Sequence, residues 1–314
     1  MDALLAAQDG VITRKQALAH LSPDALDHRL GREWKVVLPG IYIAASSAPP
    51  QRQRLRAALL FAGPQAVLSD TSALRLFGVP YVPADDKIRV LVPDAVQRHS
   101  RDFVVIKRSI RMPTACVVGG LQVAPVCRSL CELGQRHPNE RESLAVVAAA
   151  VQSRLVTARE LSVEAHAGPA RGRPRLLRVI APVEAGVRSA PEADFRRIVE
   201  SSRVLPPPLW NALVELPDGR RFSPDALFVE AGLVHETNGR QFHAPEAGNG
   251  VFEDMQRRND ALVAAGFVVL HNSPSRLRAE PAVVRREVEQ AYRRNAGRGL
   301  PGGVRFLREG PAAA

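Results

Sequence analysis

The chain has 314 residues, 46% of them hydrophobic and 24% charged, so it is long enough for two or three folded domains and is not a disordered protein. Its 43 Lys and Arg against 32 Asp and Glu give a formal net charge of +11. This basic excess favours a polyanionic partner, either nucleic acid or an anionic membrane surface. Aromatic residues make up only 5% of the chain, so phosphate contact is favoured over base stacking.

Two features indicate the compartment. The longest apolar run, residues 144–151, is far too short to span a bilayer, and no basic segment leads into an apolar one at the amino terminus. The cysteines, Cys116, Cys127 and Cys131, form no C-x-x-C pair and indicate neither a zinc site nor a disulfide framework. We therefore expect a soluble, cytoplasmic protein without a membrane partner.

Residues 1–60 are predicted to form a winged helix-turn-helix. Three short helices and a hairpin follow one another, at residues 3–8, 13–21, 22 onward, 34–38 and 41–43. In this fold the third helix enters the major groove of DNA and the hairpin touches phosphate. The predicted DNA contacts are Arg29, Arg32 and Lys35. The structural alternative is a packing module whose basic side chains form a solvated face.

The amino-terminal third also resembles the winged-helix domain of the AbiEi family of antitoxins and repressors. The resemblance rests on the runs Gly10-Val11-Ile12-Thr13-Arg14-Lys15-Gln16-Ala17, Trp34-Lys35-Val36-Val37-Leu38-Pro39-Gly40-Ile41-Tyr42, and Ala66-Val67-Leu68-Ser69 before Ser72-Ala73. It implies a domain that binds the promoter of its own operon, and a cognate toxin as a protein partner.

The middle of the chain is predicted to be an α+β connector, residues 61–165, because helix and strand patterns alternate there without a catalytic set. Gly, Pro, Ala and Arg dominate the following residues, 166–188, which predicts an exposed basic linker that leads into a short helix. The tail, residues 297–314, is rich in Gly and Ala and is predicted to be mobile.

Residues 189–296 are predicted to form an α/β domain. The pattern reads, in order, as a helix, three strands, a helix, a strand and a helix, at residues 189–202, 209–216, 221–229, 233–237, 252–265, 267–271 and 280–294. Two acids, Asp225 and Glu236, fall on neighbouring strands of this αβββαβα order. Neighbouring strands can bring acids eleven positions apart to one edge of a sheet.

This domain resembles the PD-(D/E)XK nucleases, a restriction-endonuclease-like fold, and within them the very-short-patch-repair endonucleases. The matching runs are Pro224-Asp225, Glu236-Thr237-Asn238, Gly239-Arg240-Gln241-Phe242-His243, Asp254, Arg257-Arg258-Asn259-Asp260 and residues 262–270. The resemblance implies an endonuclease with Asp225 and Glu236 as ligands of Mg²⁺ or Mn²⁺. Mg²⁺ takes hard oxygen ligands, commonly one or two carboxylates beside water and phosphate, and lowers the pKa of bound water.

Other residues of the predicted site have weaker assignments. Glu192 lies three residues after Ser189 and fits either the site or a helix cap. Asn238 stands where the nuclease pattern has a lysine, and an amide can orient a water molecule or phosphate but cannot neutralise it. His243 is the candidate for proton transfer or for a phosphate contact.

The basic pair Arg257 and Arg258 fits either phosphate contact or a solvated helix face. The leading prediction is a DNA-binding protein with a metal-dependent endonuclease domain that acts on double-stranded DNA in repair or defence. The alternative is a non-catalytic repressor or antitoxin of the AbiEi type.

Overall fold

The computed structural model describes residues 1–30, 32–44, 49–237 and 249–308 of a mixed α/β protein. The chain divides into two compact units, Met1–Val179 and Ile180–Ala314, which are considered separately. Within the described ranges, the helices are all too short or too polar to cross a lipid bilayer.

The first unit begins with three short helices and a three-stranded sheet. These elements are α1 (Asp2–Ala7), β1 (Val11–Thr13), α2 (Arg14–Leu18), α3 (Pro23–Arg29), β2 (Trp34–Leu38) and β3 (Ile41–Ala44). Strand β3 lies between β1 and β2 and is antiparallel to both. Helix α2 begins with a capping box between Thr13 and Gln16, and Ser22 caps α3. The three expected helices and the hairpin are present, and β1 is an additional strand.

A five-stranded sheet and six helices make up the rest of the first unit. They are α4 (Gln51–Ala62), β4 (Val67–Leu68), α5 (Asp70–Leu76), β5 (Ile88–Pro93), β6 (Val104–Ser109), β7 (Cys116–Val118), β8 (Leu121–Val123), α6 (Val126–Arg136), α7 (Glu140–Gln152) and α8 (Ala158–Ala167), followed by α9 (Arg173–Glu184). The strand order is β6-β5-β4-β8-β7. Helix α4 packs its apolar side chains, including Leu55 and Phe61, against this sheet.

Helix α9 takes up residues 173–184 of the predicted basic linker, so the helix is longer and more buried than the short helix expected there. Leu176, Val179, Ile180 and Val183 are all buried and recur at helical spacing, which gives the segment an apolar face despite its arginines. The composition of the segment hid this periodicity, because Gly and Pro at its start dominate the local average. The division between the two units falls inside this helix.

The second unit contains two small sheets and four helices within its described residues. Its elements are α10 (Ala190–Glu200), β9 (Leu209–Trp210), β10 (Leu213–Glu215), β11 (Arg221–Phe222), β12 (Ala226–Phe228), β13 (Leu233–Thr237), α11 (Asn249–Ala264), β14 (Val268–Asn272), α12 (Pro274–Ala279), α13 (Pro281–Asn295) and β15 (Arg305–Arg308). The sheets have the orders β14-β13-β12-β9 and β11-β10-β15. Strands β13 and β14 are parallel because helix α11 connects them.

Each of two predicted strands is divided between these sheets. Residues 209–216 form β9 in one sheet and β10 in the other, and residues 221–229 divide in the same way into β11 and β12. Between β9 and β10, Asn211 has a φ of 53°, in the left-handed region that an asparagine tolerates better than most residues. A bend of this kind redirects the chain from one sheet to the next.

The four-stranded sheet has an apolar core on each face. Phe195 of α10, Ala226 and Phe228 lie in one core with Val284 and Val288 of α13. Leu227, Val234 and Val269 alternate with them along the strands and belong to the other core, with Ala261 and Leu262 of α11. Helices therefore cover both faces of the sheet, and its polar residues lie where the strands end.

Residues 297–308 correct the predicted mobile tail. Strand β15 pairs antiparallel with β10, and both Arg305 and Arg221 form ion pairs with the buried Glu215. The amides of Gly297 and Gly299 each donate to the carbonyl of Glu230, at 3.0 and 3.1 Å. A Cβ on Gly232 would lie 2.7 Å from the carbonyl oxygen of Gly299, so this close approach requires glycine.

A chain that ends at Asn295 should be less stable than the full chain. The truncation removes β15 and the apolar contacts of Leu300 and Val304, each worth on the order of 1–2 kcal/mol, and it takes Arg305 from Glu215. Urea unfolding measures the loss. Arg298→Ala is the control, because this side chain is exposed and, within the described residues, donates a side-chain hydrogen bond only to Asn295. Equal stability of the truncated and full chains would contradict the docked tail.

Candidate active site

The strand register brings three polar residues into one row at the end of the four-stranded sheet. Parallel pairing of β13 and β14 sets Glu236 opposite His271, and antiparallel pairing of β12 and β13 sets Ala226 opposite His235. One further step along the same antiparallel register places Asp225 opposite Glu236. Residues opposite each other point to the same face of a sheet. Asp225, Glu236 and His271 therefore lie side by side, and we call them the polar row.

Hydrogen bonds hold Asp225 at the beginning of β12. Its Oδ2 accepts a hydrogen bond of 2.7 Å from the main-chain amide of Thr237 and a second one from the hydroxyl of the same residue, which is the last residue of β13. Its main-chain carbonyl accepts from the amide of Asn211 at 3.1 Å. These bonds tie Asp225 to both neighbouring strands, so the position of its carboxylate is set by the sheet.

Glu236 is held by an arginine of helix α11. Arg258 Nη2 donates to Glu236 Oε1 at 2.7 Å and to the carbonyl of Ser223 at 2.9 Å. The Glu236 side chain is only 14% exposed. Burial, with a smaller contribution from the charge of Asp225, raises the pKa of Glu236 to about 7 against the opposing effect of Arg258. The acid is therefore stabilised incompletely by the arginine beside it.

His271 is a member of the row that the sequence analysis did not select. Its Nε2 lies 2.8 Å from Oδ1 of Asn259 on α11, and its Nδ1 is buried without a hydrogen-bond partner in the described part of the chain. Burial lowers the pKa of His271, and the charge of Arg258 lowers it further. The ring is therefore mainly neutral at pH 7. Only the parallel register with Glu236 distinguishes it, and that register is not visible in the sequence.

The adjacent histidine, His235, faces away from the row and is a core residue. It is fully buried and stacks on Phe195 with the ring centroids 3.4 Å apart. Asn272 Nδ2 lies 3.1 Å from its Nε2. Burial lowers the pKa of His235 to about 3, so the ring is neutral at pH 7.

The predicted site residue Glu192 lies at the beginning of α10, where its contacts are those of a helix cap. Its amide donates to Ser189 Oγ at 3.2 Å, and its Oε2 accepts from the amide of Arg188 at 2.8 Å. Its Oε1 accepts from Arg196 and Asn211 at 3.0 and 2.9 Å. The side chain is 1% exposed, and burial raises its pKa, with a contribution from Asp225. Glu192 is thus close enough to sense Asp225 but is fully engaged in holding α10.

The remaining predicted residues of this unit are placed as follows. Arg257 is 68% exposed and pairs with Glu253 at 3.1 Å on the same helix, so it differs from Arg258, which contacts Glu236. Asn238 and His243 lie outside the described residues. The role of Asn238, which stands where the nuclease pattern has a lysine, and the role of His243 in proton transfer therefore remain predictions.

The predicted DNA contacts of the first unit lie on α3, on β2 and in the turn between them. Arg29 packs over the ring of Trp34, 5.6 Å from its centroid, and its Nη1 lies 3.9 Å from Met1 Sδ. Arg32 is exposed and bonds His28 Nε2 at 3.2 Å. Lys35 is exposed on β2 beside Val36, which is 62% exposed. Arg32 and Lys35 are thus accessible to a large anion, whereas Arg29 is partly occupied by packing.

The polar row supplies the oxygen donors that a hard divalent cation takes. No group of three or more His, Cys, Asp and Glu side chains is arranged to hold a metal ion among residues 1–30, 32–44, 49–237 and 249–308. Two carboxylates side by side are nevertheless sufficient for Mg²⁺, which keeps several water ligands. Burial raises the pKa of Glu236 although Arg258 lies beside it, so this carboxylate is only partly compensated. The two carboxylates are oxygen donors of the kind that Mg²⁺ and Mn²⁺ take.

Comparisons with known proteins add little to this picture. No protein-family model matches the chain, and no curated protein matches it. Among solved structures, the RV2827C protein from Mycobacterium tuberculosis is similar at a TM-score of 0.40 and 15% sequence identity, over 61% of this chain and 78% of that one. A likeness this weak carries no functional conclusion.

The stability difference between Glu236→Gln and the natural chain should depend on pH. The folded-state pKa of Glu236, about 7, exceeds the ordinary 4.5. The natural chain therefore loses stability relative to the variant as pH rises from about 4.5 to 7, by on the order of 1–3 kcal/mol. Urea unfolding with a chelator, at pH 5 and pH 8, measures the change. A pH-independent difference would contradict the raised pKa.

Proposed function

We propose that the second unit hydrolyses phosphodiester bonds of double-stranded DNA with Mg²⁺ or Mn²⁺ bound at Asp225 and Glu236. The observation that carries the proposal is the placement of two carboxylates side by side on one sheet face, one of them with a raised pKa. Buried acids that are only partly compensated destabilise a fold and are common at functional sites, including those that bind cations. The basic charge of the chain supports a polyanionic substrate.

The proposed domain is of the restriction-endonuclease-like type. Its support is the element order α10, then β9, β12 and β13 of the four-stranded sheet, then α11, β14 and α13, with Asp225 directly before β12 and Glu236 on the adjacent strand β13. The small second sheet and α12 lie outside the predicted αβββαβα order. They are additions to the proposed core, because the αβββαβα order requires four strands and the sheet that carries the polar row has four.

The side chains of the row have separate parts in the proposed reaction. A bound divalent ion would supply positive charge for the phosphate and lower the pKa of a water molecule. Asp225 and Glu236 would hold that ion through carboxylate oxygens. His271 is neutral at pH 7 and is bonded at Nε2 by Asn259, so its buried Nδ1 is an acceptor that can receive a proton or orient water.

Purified protein with Mg²⁺ or Mn²⁺ should cleave plasmid DNA, and Asp225→Asn should lower the rate at least about a hundredfold, because the metal loses a carboxylate. Gel electrophoresis of supercoiled plasmid measures the rate. Asp218→Asn is the matched control, since this acid bonds only Arg220 in a surface turn among the described contacts. Equal cleavage by the natural chain and Asp225→Asn would assign the activity to another protein.

A second candidate function is sequence-specific repression of transcription by a winged helix-turn-helix in residues 1–60. The order of three helices and three strands supports it, as do the exposed Arg32 and Lys35 at the end of α3 and on β2. The two functions are compatible in one chain. The first requires a metal ion and the second does not.

Binding to the DNA upstream of the protein's own gene should persist in a chelator if the second candidate is right. Lys35→Ala should weaken binding and reduce the salt-dependence slope by about 1, because one phosphate contact is lost. Gel shifts at several salt concentrations provide both values. Lys87→Ala, an exposed lysine of the same unit, serves as the control. An unchanged slope for Lys35→Ala would exclude the hairpin as a phosphate contact.

A further inference from the structure

Arg258 occupies the position from which a cation would compensate Glu236. Its Nη2 contacts the carboxylate at 2.7 Å and the carbonyl of Ser223 at 2.9 Å, so it bridges the end of β13 and the chain segment before β12. The guanidinium carbon also lies 5.6 Å from the ring centroid of Phe222. These contacts give the head group a defined position beside the polar row.

The rest of the arginine is less constrained than its Nη2. Its Nε is buried and has no hydrogen-bond partner within the described residues. The side chain is nevertheless 36% exposed, so a rotation about its terminal bonds can carry the head group toward solvent. An arginine whose Nη2 bonds Glu236 and Ser223, whose Nε has no partner within the described residues and whose side chain reaches solvent can exchange these partners without disturbing a packed core.

We propose that Arg258 is a resident counter-cation of Glu236, exchanged for the divalent metal ion when the site is loaded and thereby released to a phosphate of the DNA. This inference rests on the proposed function and adds a partner exchange to it. Glu236 Oε1 is the shared ligand. The guanidinium and the metal are alternative occupants of the same position.

Electrostatics sets the direction of the exchange. A divalent ion bound to Glu236 and a guanidinium still at 2.7 Å from the same carboxylate would repel each other at short range, where solvent screens them weakly. Metal binding therefore breaks the Arg258–Glu236 contact. The displaced guanidinium can then form two parallel hydrogen bonds with a phosphate, a geometry for which arginine is suited and lysine is not.

The structural alternative is that Arg258 only neutralises Glu236 and fastens α11 to the sheet. In that case removal of the arginine leaves Glu236 buried without this partner. The free energy of metal binding then changes by no more than the free energy of unfolding does. The two hypotheses predict different responses of the protein to metal. Arg285 is a matched control, because it has the same side-chain exposure of 36% and lies 3.8 Å from Glu289 on α13.

The first measurement is Mn²⁺ affinity by isothermal titration calorimetry on the full chain without DNA. Arg258→Met should bind Mn²⁺ about tenfold more tightly than the natural chain, because the metal no longer displaces a cation. Arg285→Met should bind it as the natural chain does. Unchanged or weaker binding by Arg258→Met overturns the exchange.

The second measurement is DNA affinity, in Ca²⁺ and in chelator. With Ca²⁺ present, Arg258→Met should bind DNA about fivefold to tenfold more weakly than the natural chain, since the released phosphate contact is missing. In chelator the two chains should bind equally, because Arg258 remains on Glu236. An equal loss in both conditions would identify a constant phosphate contact and overturn the exchange.

A measurement on the natural chain covers the case in which Arg258→Met folds poorly. The arginine Nε–H resonance that disappears in Arg258→Lys should shift when Mg²⁺ is added, and an unmoved resonance under saturating metal overturns the exchange.

The outcomes separate the two proposals. If neither chain binds Mn²⁺, the metal site itself is wrong. If both bind it equally and the natural chain cleaves DNA, only the role of Arg258 is wrong.

Discussion

The register of three strands is the constraint on which the candidate site depends. Strand β13 has an antiparallel neighbour on one side and a parallel neighbour on the other, and the two pairings together align Asp225, Glu236 and His271. A slip of one residue would turn Glu236 into the core that holds His235 and Phe195. The apolar residues on both faces, Leu227 and Phe228 among them, therefore fix the position of the acids.

Buried acids in the second unit are compensated to different degrees, and this difference separates structure from function. Glu215 accepts bonds from two arginines, Glu192 accepts from Arg196, Asn211 and the amide of Arg188, and both acids hold secondary structure together. Within the described residues, Glu236 is bonded by one arginine, Arg258, and has a pKa of about 7. A carboxylate that the fold leaves partly uncompensated has an electrostatic reason to bind a further cation.

Local sequence patterns predicted much of the secondary structure but not the pairing of strands that are distant in the sequence. Apolar periodicity correctly predicted the first helices and the first hairpin. Asp225 and Glu236 could be selected from the sequence, because acids between apolar strand residues are unusual. His271 could not, since only its pairing with Glu236 places it in the row. The arginine-rich α9 and the Gly-rich segment before β15 were misjudged because composition concealed contacts made by a few apolar and charged residues.

The docking of β15 has a consequence for the order in which the chain folds during synthesis. Arg305 meets Glu215 across ninety positions of sequence, so β10 acquires its second neighbour long after it leaves the ribosome. Until then Glu215 has Arg221 as its arginine partner and the strand has an open edge. The first unit, made earlier, can complete its own sheets meanwhile. In the nascent protein the second unit is the part that most needs protection from pairing with other chains.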